Sequence, residues 1–165
     1  MSQIDELLGN AEAYASRFEN GDLPVAPARK LAVVTCMDSR IDLFRLLGLR
    51  VGDAHVIRNA GGIVTDDTIR SLSISQRKLG TEEIVLIQHT DCGLLAFTDE
   101  EYAAELEADT GKRPHWHAQA FTDLERSVRD SVERVRSSPF VPSTATVKGF
   151  VYEVETGRLR EVHTP

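Results

Sequence analysis

The chain has 165 residues, a length that suits one domain spanning 1–165 and a real core without disulfide staples. Its 26 acidic residues against 19 basic give a formal charge of −7, which disfavours nucleic acid or an anionic membrane surface as the main partner. Aliphatic runs stop at about four residues, far short of the roughly 20 needed to cross a bilayer. Asp5 and Glu6 stand where a secretory leader would carry positive charge, so a cytoplasmic protein is expected.

From Ser2 to about Phe18 the spacing of Ile4, Leu7, Leu8, Ala11, Tyr14, Ala15 and Phe18 predicts an amphipathic helix. It belongs to an N-terminal arm of residues 1–20, joined through the Gly- and Pro-punctuated stretch 21–27, so its apolar face can pack at home or on a second subunit. The run Leu31–Thr35 predicts a buried strand that ends in Cys36-Met37-Asp38-Ser39-Arg40. A short helix over 41–47, stopped by Gly48, leads to a strand over 54–57. That strand runs into Arg58-Asn59-Ala60-Gly61-Gly62, a turn whose glycines let backbone approach an anion or a neighbouring loop. A helix starting near Thr65 and closed by Gly80 precedes a strand over 83–88, which delivers Gln88-His89-Thr90-Asp91-Cys92-Gly93.

The order β-α-β-α-β predicts an α/β fold with parallel strands joined by right-handed crossovers, and in such sheets sites form beyond the carboxyl ends of the strands. An acidic helix over 98–108 follows, then a polar loop that carries His115-Trp116-His117, read as solvent-facing and given no role. Phe121, Leu124, Val128, Val132 and Val135 mark one face of a long helix, with Glu125/Arg129 and Asp130/Arg134 as i,i+4 pairs on its other faces. A strand over 146–154, a turn at Thr156-Gly157 and a short return to Val162 complete the chain.

The chain's two cysteines, Cys36 and Cys92, both lie just past predicted strands, and His89 stands three residues before Cys92. If the two strands are neighbours, these side chains make three metal ligands. Structural zinc sites normally use four protein ligands, whereas catalytic zinc keeps three and leaves a place for water or substrate, so the count favours a catalytic ion. Two other readings stay open on spacing alone: ordinary buried thiols beside a hydrogen-bonded histidine, and, less favoured without C-x-x-C spacing, a redox pair. Asp38, two residues from Cys36, can accept a hydrogen bond from hydroxide on such an ion, and Arg40 can keep it ionised; the alternative for this pair is a strand-end salt bridge. Arg58 and Arg70 matter only if they line the same cleft.

Together, Cys36-Met37-Asp38-Ser39-Arg40, Arg58-Asn59-Ala60-Gly61-Gly62 and His89-Thr90-Asp91-Cys92-Gly93 closely resemble the β-class carbonic anhydrases, in particular their short bacterial subgroup, over most of the chain. The resemblance implies one zinc ion per chain held by Cys36, His89 and Cys92, with Asp38 and Arg40 as the active-site dyad. It also implies a mostly parallel sheet flanked by helices with an extra edge strand, and a homodimer or dimer of dimers whose N-terminal helix reaches over the partner. The implied reaction is reversible hydration of carbon dioxide to bicarbonate and a proton. The resemblance further implies that Asp38, released by Arg40, can occupy the fourth zinc position and close the site.

Two competing functions remain at this stage. One is hydrolysis of carbonyl sulfide or carbon disulfide on the same ligand set, which pocket width and apolarity would separate from hydration. The other is a non-catalytic zinc-binding interaction domain, against which the Asp38/Arg40 pair argues. Gln88, next to a ligand, is left without a role because it can point to the other face of its strand.

Overall fold

The computed structural model describes residues 2–144 and 146–164. Among the described residues five α-helices and five strands follow one another as α1 (Gln3–Ala15), β1 (Leu31–Cys36), α2 (Leu43–Leu47), β2 (Ala54–Asn59), α3 (Asp66–Leu79), β3 (Glu83–His89), α4 (Asp99–Thr110), α5 (Leu124–Arg136), β4 (Val147–Tyr152) and β5 (Leu159–Val162). The strands form one sheet in the order β2-β1-β3-β4-β5, in which every neighbouring pair is parallel except β4 and β5. This is the α/β arrangement that the element order implied, with the extra edge strand that the resemblance implied.

β1 and β3 sit at the centre with Leu31 opposite Glu83 and Thr35 opposite Ile87, so the two chains leave the sheet side by side. That register carries Cys36 and His89 to the same end of the sheet. Alternate residues face opposite layers, as the pleat requires. Ala32, Val34, Ile84 and Leu86 pack with Leu72 of α3 and with Val132 and Val135 of α5. Val33 and Ile87 face the other way, toward Ile41, Leu43 and Leu94. Both faces are covered, which accounts for the near-continuous apolar runs of β1 and β3.

Two glycines let these layers close. At Gly149 of β4 an added Cβ would run into Val128 Cγ1 and lie 2.9 Å from Val132 Cγ2, so α5 can approach the sheet only over a bare backbone. At Gly62, with φ +63°, a Cβ would lie 2.8 Å from both the Cys36 amide nitrogen and the Ile87 carbonyl oxygen. The glycine-rich turn therefore admits a neighbouring backbone. It seals the gap between the ends of β1 and β3.

Several sequence expectations need correction. Phe121 lies outside α5, which starts at Leu124 with Asp123 capping it; the Phe121 amide instead donates to the Leu94 carbonyl. Glu125 and Arg129 do pair, but Asp130 and Arg134 do not: Arg134 reaches Asp66 at 2.6 Å, and Asp130 lies 3.8 Å from Arg126. β2 continues through Arg58 and Asn59 because β1 extends to Cys36 and keeps pairing with it.

Candidate metal centre and active site

The loop after β1 is folded back on itself by its own polar groups. Asp38 Oδ1 accepts from the Arg40 amide at 2.9 Å, an Asx-type turn, and the Met37 amide donates to the Asn59 carbonyl at 2.8 Å. Arg58 braces the same loop from β2: Nε donates to the Cys36 carbonyl at 2.9 Å and Nη2 to the Asp38 carbonyl at 2.7 Å. The β3 loop is tied to β4, since the Thr90 amide donates to the Tyr152 carbonyl and Thr90 Oγ1 accepts from the Val154 amide, each at 3.0 Å. Both loops are thus fixed independently of any ligand.

Between them, the ligand atoms of Cys36, His89 and Cys92 lie within 4.8 Å of one another, and all three residues are buried. Among the described residues no second group of three such side chains comes together. His89 Nδ1 is 2.8 Å from the Thr90 carbonyl oxygen, an acceptor only, so the proton belongs on Nδ1 and the Nε2 lone pair is free. Nε2 is fully buried and has no hydrogen-bond partner. An orphaned acceptor beside two thiols is what a soft or borderline cation satisfies, and the Nδ1–carbonyl bond is the usual device that aims a ligating histidine.

The electrostatics point the same way. A hydrogen bond from Cys92, with further ones from the Asp38 and Gly61 amides, pulls the Cys36 thiol well below the usual range. Cys92 is pushed up, because its thiol keeps the proton it donates to Cys36 and because it is buried. Burial disfavours charge on His89, yet the neighbouring Cys36 sulfur raises its pKa on balance.

Asp38 and Arg40 stand at the rim. Arg40 Nε donates to Asp38 Oδ1 at 3.0 Å and Nη2 to Oδ2 at 2.7 Å, a forked pair that holds the carboxyl well below the usual carboxylate range. Oδ2 lies 3.7 Å from His89 Nε2, so the carboxylate borders the cluster without bonding to it. A cavity of about 550 Å³ opens over this floor. Its walls include Leu94, Phe97, Tyr102 and Trp116, with Phe97 and Tyr102 centroids 5.2 Å apart and Tyr102 and Trp116 centroids 6.4 Å apart. A polar, ionised floor thus meets an apolar wall, a place where a small uncharged molecule can shed water before it reaches a nucleophile.

All five side chains singled out in the sequence, Cys36, Asp38, Arg40, His89 and Cys92, converge here. Gln88 does not: it turns to the other face, where Nε2 donates to Ser131 Oγ of α5 at 3.3 Å. Arg70 pairs with Asp67 on the surface and plays no part. Sequence reasoning missed the Arg58 brace and the aromatic wall. The loop carrying His115, Trp116 and His117 is exposed, as expected, yet Trp116 also lines the cavity, because Arg113 ties this loop to Glu100 and Glu107 of α4, at 2.6 and 3.1 Å.

Comparison with known proteins gives consistent results. A family model described as carbonic anhydrase matches residues 31–159. A relative named β-carbonic anhydrase 1 from Mycobacterium tuberculosis is 49% identical over 162 residues, covering 98% of this chain and 99% of its own. A carbon disulfide hydrolase from Saccharolobus solfataricus is 37% identical, covering 97% of this chain and 89% of its own. Among solved structures, a carbonic anhydrase from Streptococcus mutans superposes with a TM-score of 0.92 at 44% identity and covers 99% of both chains.

Proposed function

Starting from the fact that the chain belongs to the β-carbonic anhydrase family, and so is an enzyme of that class, we propose that it hydrates carbon dioxide reversibly to bicarbonate and a proton. The observation that carries this reading is the ionised Asp38, fixed by Arg40 and placed 3.7 Å from the orphaned His89 Nε2. A site that served only to bind metal would have no use for a charged acceptor at its open side.

In this reading Cys36, His89 and Cys92 hold one zinc ion. Zinc, when bound, supplies Lewis acidity that makes water a nucleophile near neutral pH, less strongly with two thiolate ligands than with an all-histidine set. The protein does the rest. The Asp38 carboxylate is a pure acceptor; it takes the hydrogen bond of the attacking water and turns the oxygen lone pair toward the carbon of the substrate. Arg40 keeps Asp38 charged, so that it accepts and does not donate. The Phe97, Tyr102 and Trp116 wall offers a linear, uncharged substrate an apolar surface beside the polar floor.

The same wall supports a second reading. Carbon disulfide and carbonyl sulfide are linear, uncharged and larger than carbon dioxide, a relative at 37% identity carries the name carbon disulfide hydrolase, and the ligand set would serve all three substrates. Turnover of carbon dioxide, carbonyl sulfide and carbon disulfide by the same zinc-replete preparation decides between them. The proposal requires carbon dioxide to have the largest kcat/KM; dominance of carbon disulfide would make the chain a hydrolase, and no turnover of any substrate would leave a zinc-binding domain.

We also assign the chain to the cytoplasm as one domain that forms a homodimer or dimer of dimers. No helix among the described residues is long and apolar enough to cross a membrane. Support for self-association comes from α1. Its capping box at Ser2 and Asp5 starts a proper helix, yet none of its residues is buried. A 13-residue helix with nothing to pack on is marginal in water, so a second copy is the natural cover for it.

A further inference from the structure

Arg40 is held from two sides. Besides its two bonds to Asp38, Nη1 donates to Asp91 Oδ2 at 2.7 Å and Nη2 donates to the Asp91 carbonyl at 3.0 Å. Asp91 lies inside the His89–Cys92 loop, so the guanidinium is a bolt between the two strand-end loops that carry the three ligand side chains. A guanidinium gripped along one edge can still pivot together with the carboxylate that grips it. A second carboxylate on Nη1 removes that freedom, because the donors of the fork are coplanar and fixed relative to one another.

We propose that Asp91 is a positioning residue: from the opposite loop it fixes Arg40, and through Arg40 it holds the Asp38 carboxylate in one orientation against the ligand cluster. This rests on the reading of the site as one that hydrates carbon dioxide. The Asp91 side chain is 78% exposed, so its ion pair adds little to stability; its effect is on orientation. Its backbone offers a rival explanation. Asp91 has φ 54°, a left-handed conformation that aspartate and asparagine tolerate and glycine adopts at least cost, so the residue could be present for the turn alone.

Three substitutions separate these roles. Asp91→Gly eases the backbone and deletes the carboxylate, Asp91→Asn keeps shape and turn preference but removes the charge, and Asp91→Glu keeps the charge on a longer stem. Positioning predicts that Gly and Asn variants keep one zinc per chain and KM within about twofold while kcat falls about 10-fold, and that Glu recovers part of it. A ¹⁵N NMR spectrum of the Arg40 guanidinium gives a readout independent of turnover. Resolved Nη signals in the wild type should broaden in the Gly and Asn variants as the guanidinium, still gripped by Asp38 along its Nε–Nη2 edge, begins to pivot. Wild-type kcat in Asp91→Gly with unchanged Nη signals overturns the proposal, and so does loss of zinc in parallel with kcat, which would make Asp91 a brace for the ligand loop. If the wild type itself does not hydrate carbon dioxide, the functional reading fails, and the NMR comparison alone decides whether Asp91 fixes Arg40.

Discussion

Helices α1 and α5 have the same length, 13 residues, and each carries an apolar stripe, yet they end in opposite environments. α5 buries Val128, Val132 and Val135 completely against β3 and β4, over the bare backbone of Gly149. α1 leaves Ile4, Leu7 and Leu8 at 60% exposure or more. An amphipathic pattern therefore specifies which face of a helix must be covered and is silent about what covers it. For α5 the cover is this chain's own sheet; for α1 none of the described residues supplies one.

The contrast can be broken most strongly at Gly149. Asp123 caps α5 and its valines fill the space over β4, so Gly149→Ala forces a methyl into Val128 and Val132, branched side chains with no room to retreat. Overpacking of this kind costs about 1–3 kcal/mol, read as a lower midpoint in urea at an unchanged m-value. The equivalent insult to α1 is deletion of residues 2–20. It should leave the sheet of a single chain intact while shifting the protein toward monomer in sedimentation at micromolar concentration. A deletion variant that stays dimeric and fully active would show that α1 has no docking role.

The smallest effect is electrostatic. Glu125 near the start of α5 pairs with Arg160 of β5 at 2.8 Å and with Arg129 at 3.4 Å, and the two guanidinium groups, Arg160 first, hold its carboxyl below the ordinary range. A depressed folded-state pKa contributes stability that is present above the unfolded value, about 4.3, and is lost as pH falls through the folded one. Glu125→Gln should therefore flatten the acid-side decline below about pH 4 and change little at neutral pH. Added salt should shrink even that difference, since all three groups are solvent-exposed. An unchanged acid profile in Glu125→Gln would show that the pair is incidental.

Much of this molecule is legible in its sequence, and the boundary of what is legible has physical causes. The strand ends at Cys36 and His89 can be read because fully buried parallel strands are continuous apolar runs with abrupt polar stops, and the ligands stand at those stops. Asp38 and Arg40 can be read because they lie two and four residues from a ligand on one tight loop. Arg58 and Asp91 cannot. Their partners are 20 and 51 residues away in sequence and are brought close only by the pairing of β1 with β2 and β3. Trp116 is hidden for a similar reason, since a loop held by the Arg113 ion pairs looks like any polar loop until α4 is placed beneath it.

The same rule applied to the site yields its decisive test, because Asp38 is the residue whose structural and catalytic readings differ most. Asp38→Asn keeps the side chain's shape but removes the charge that Arg40 pairs with, and one accepting oxygen becomes a donor. The measurement is carbon dioxide hydration by stopped flow on zinc-replete wild type and Asp38→Asn, with zinc quantified in both. The account predicts one zinc per chain in each protein and turnover lower by about 10²-fold or more in the variant, the scale of losing a positioned acceptor. Near-wild-type turnover in a variant with full zinc would contradict it and reduce the Asp38–Arg40 pair to a salt bridge at the end of a strand.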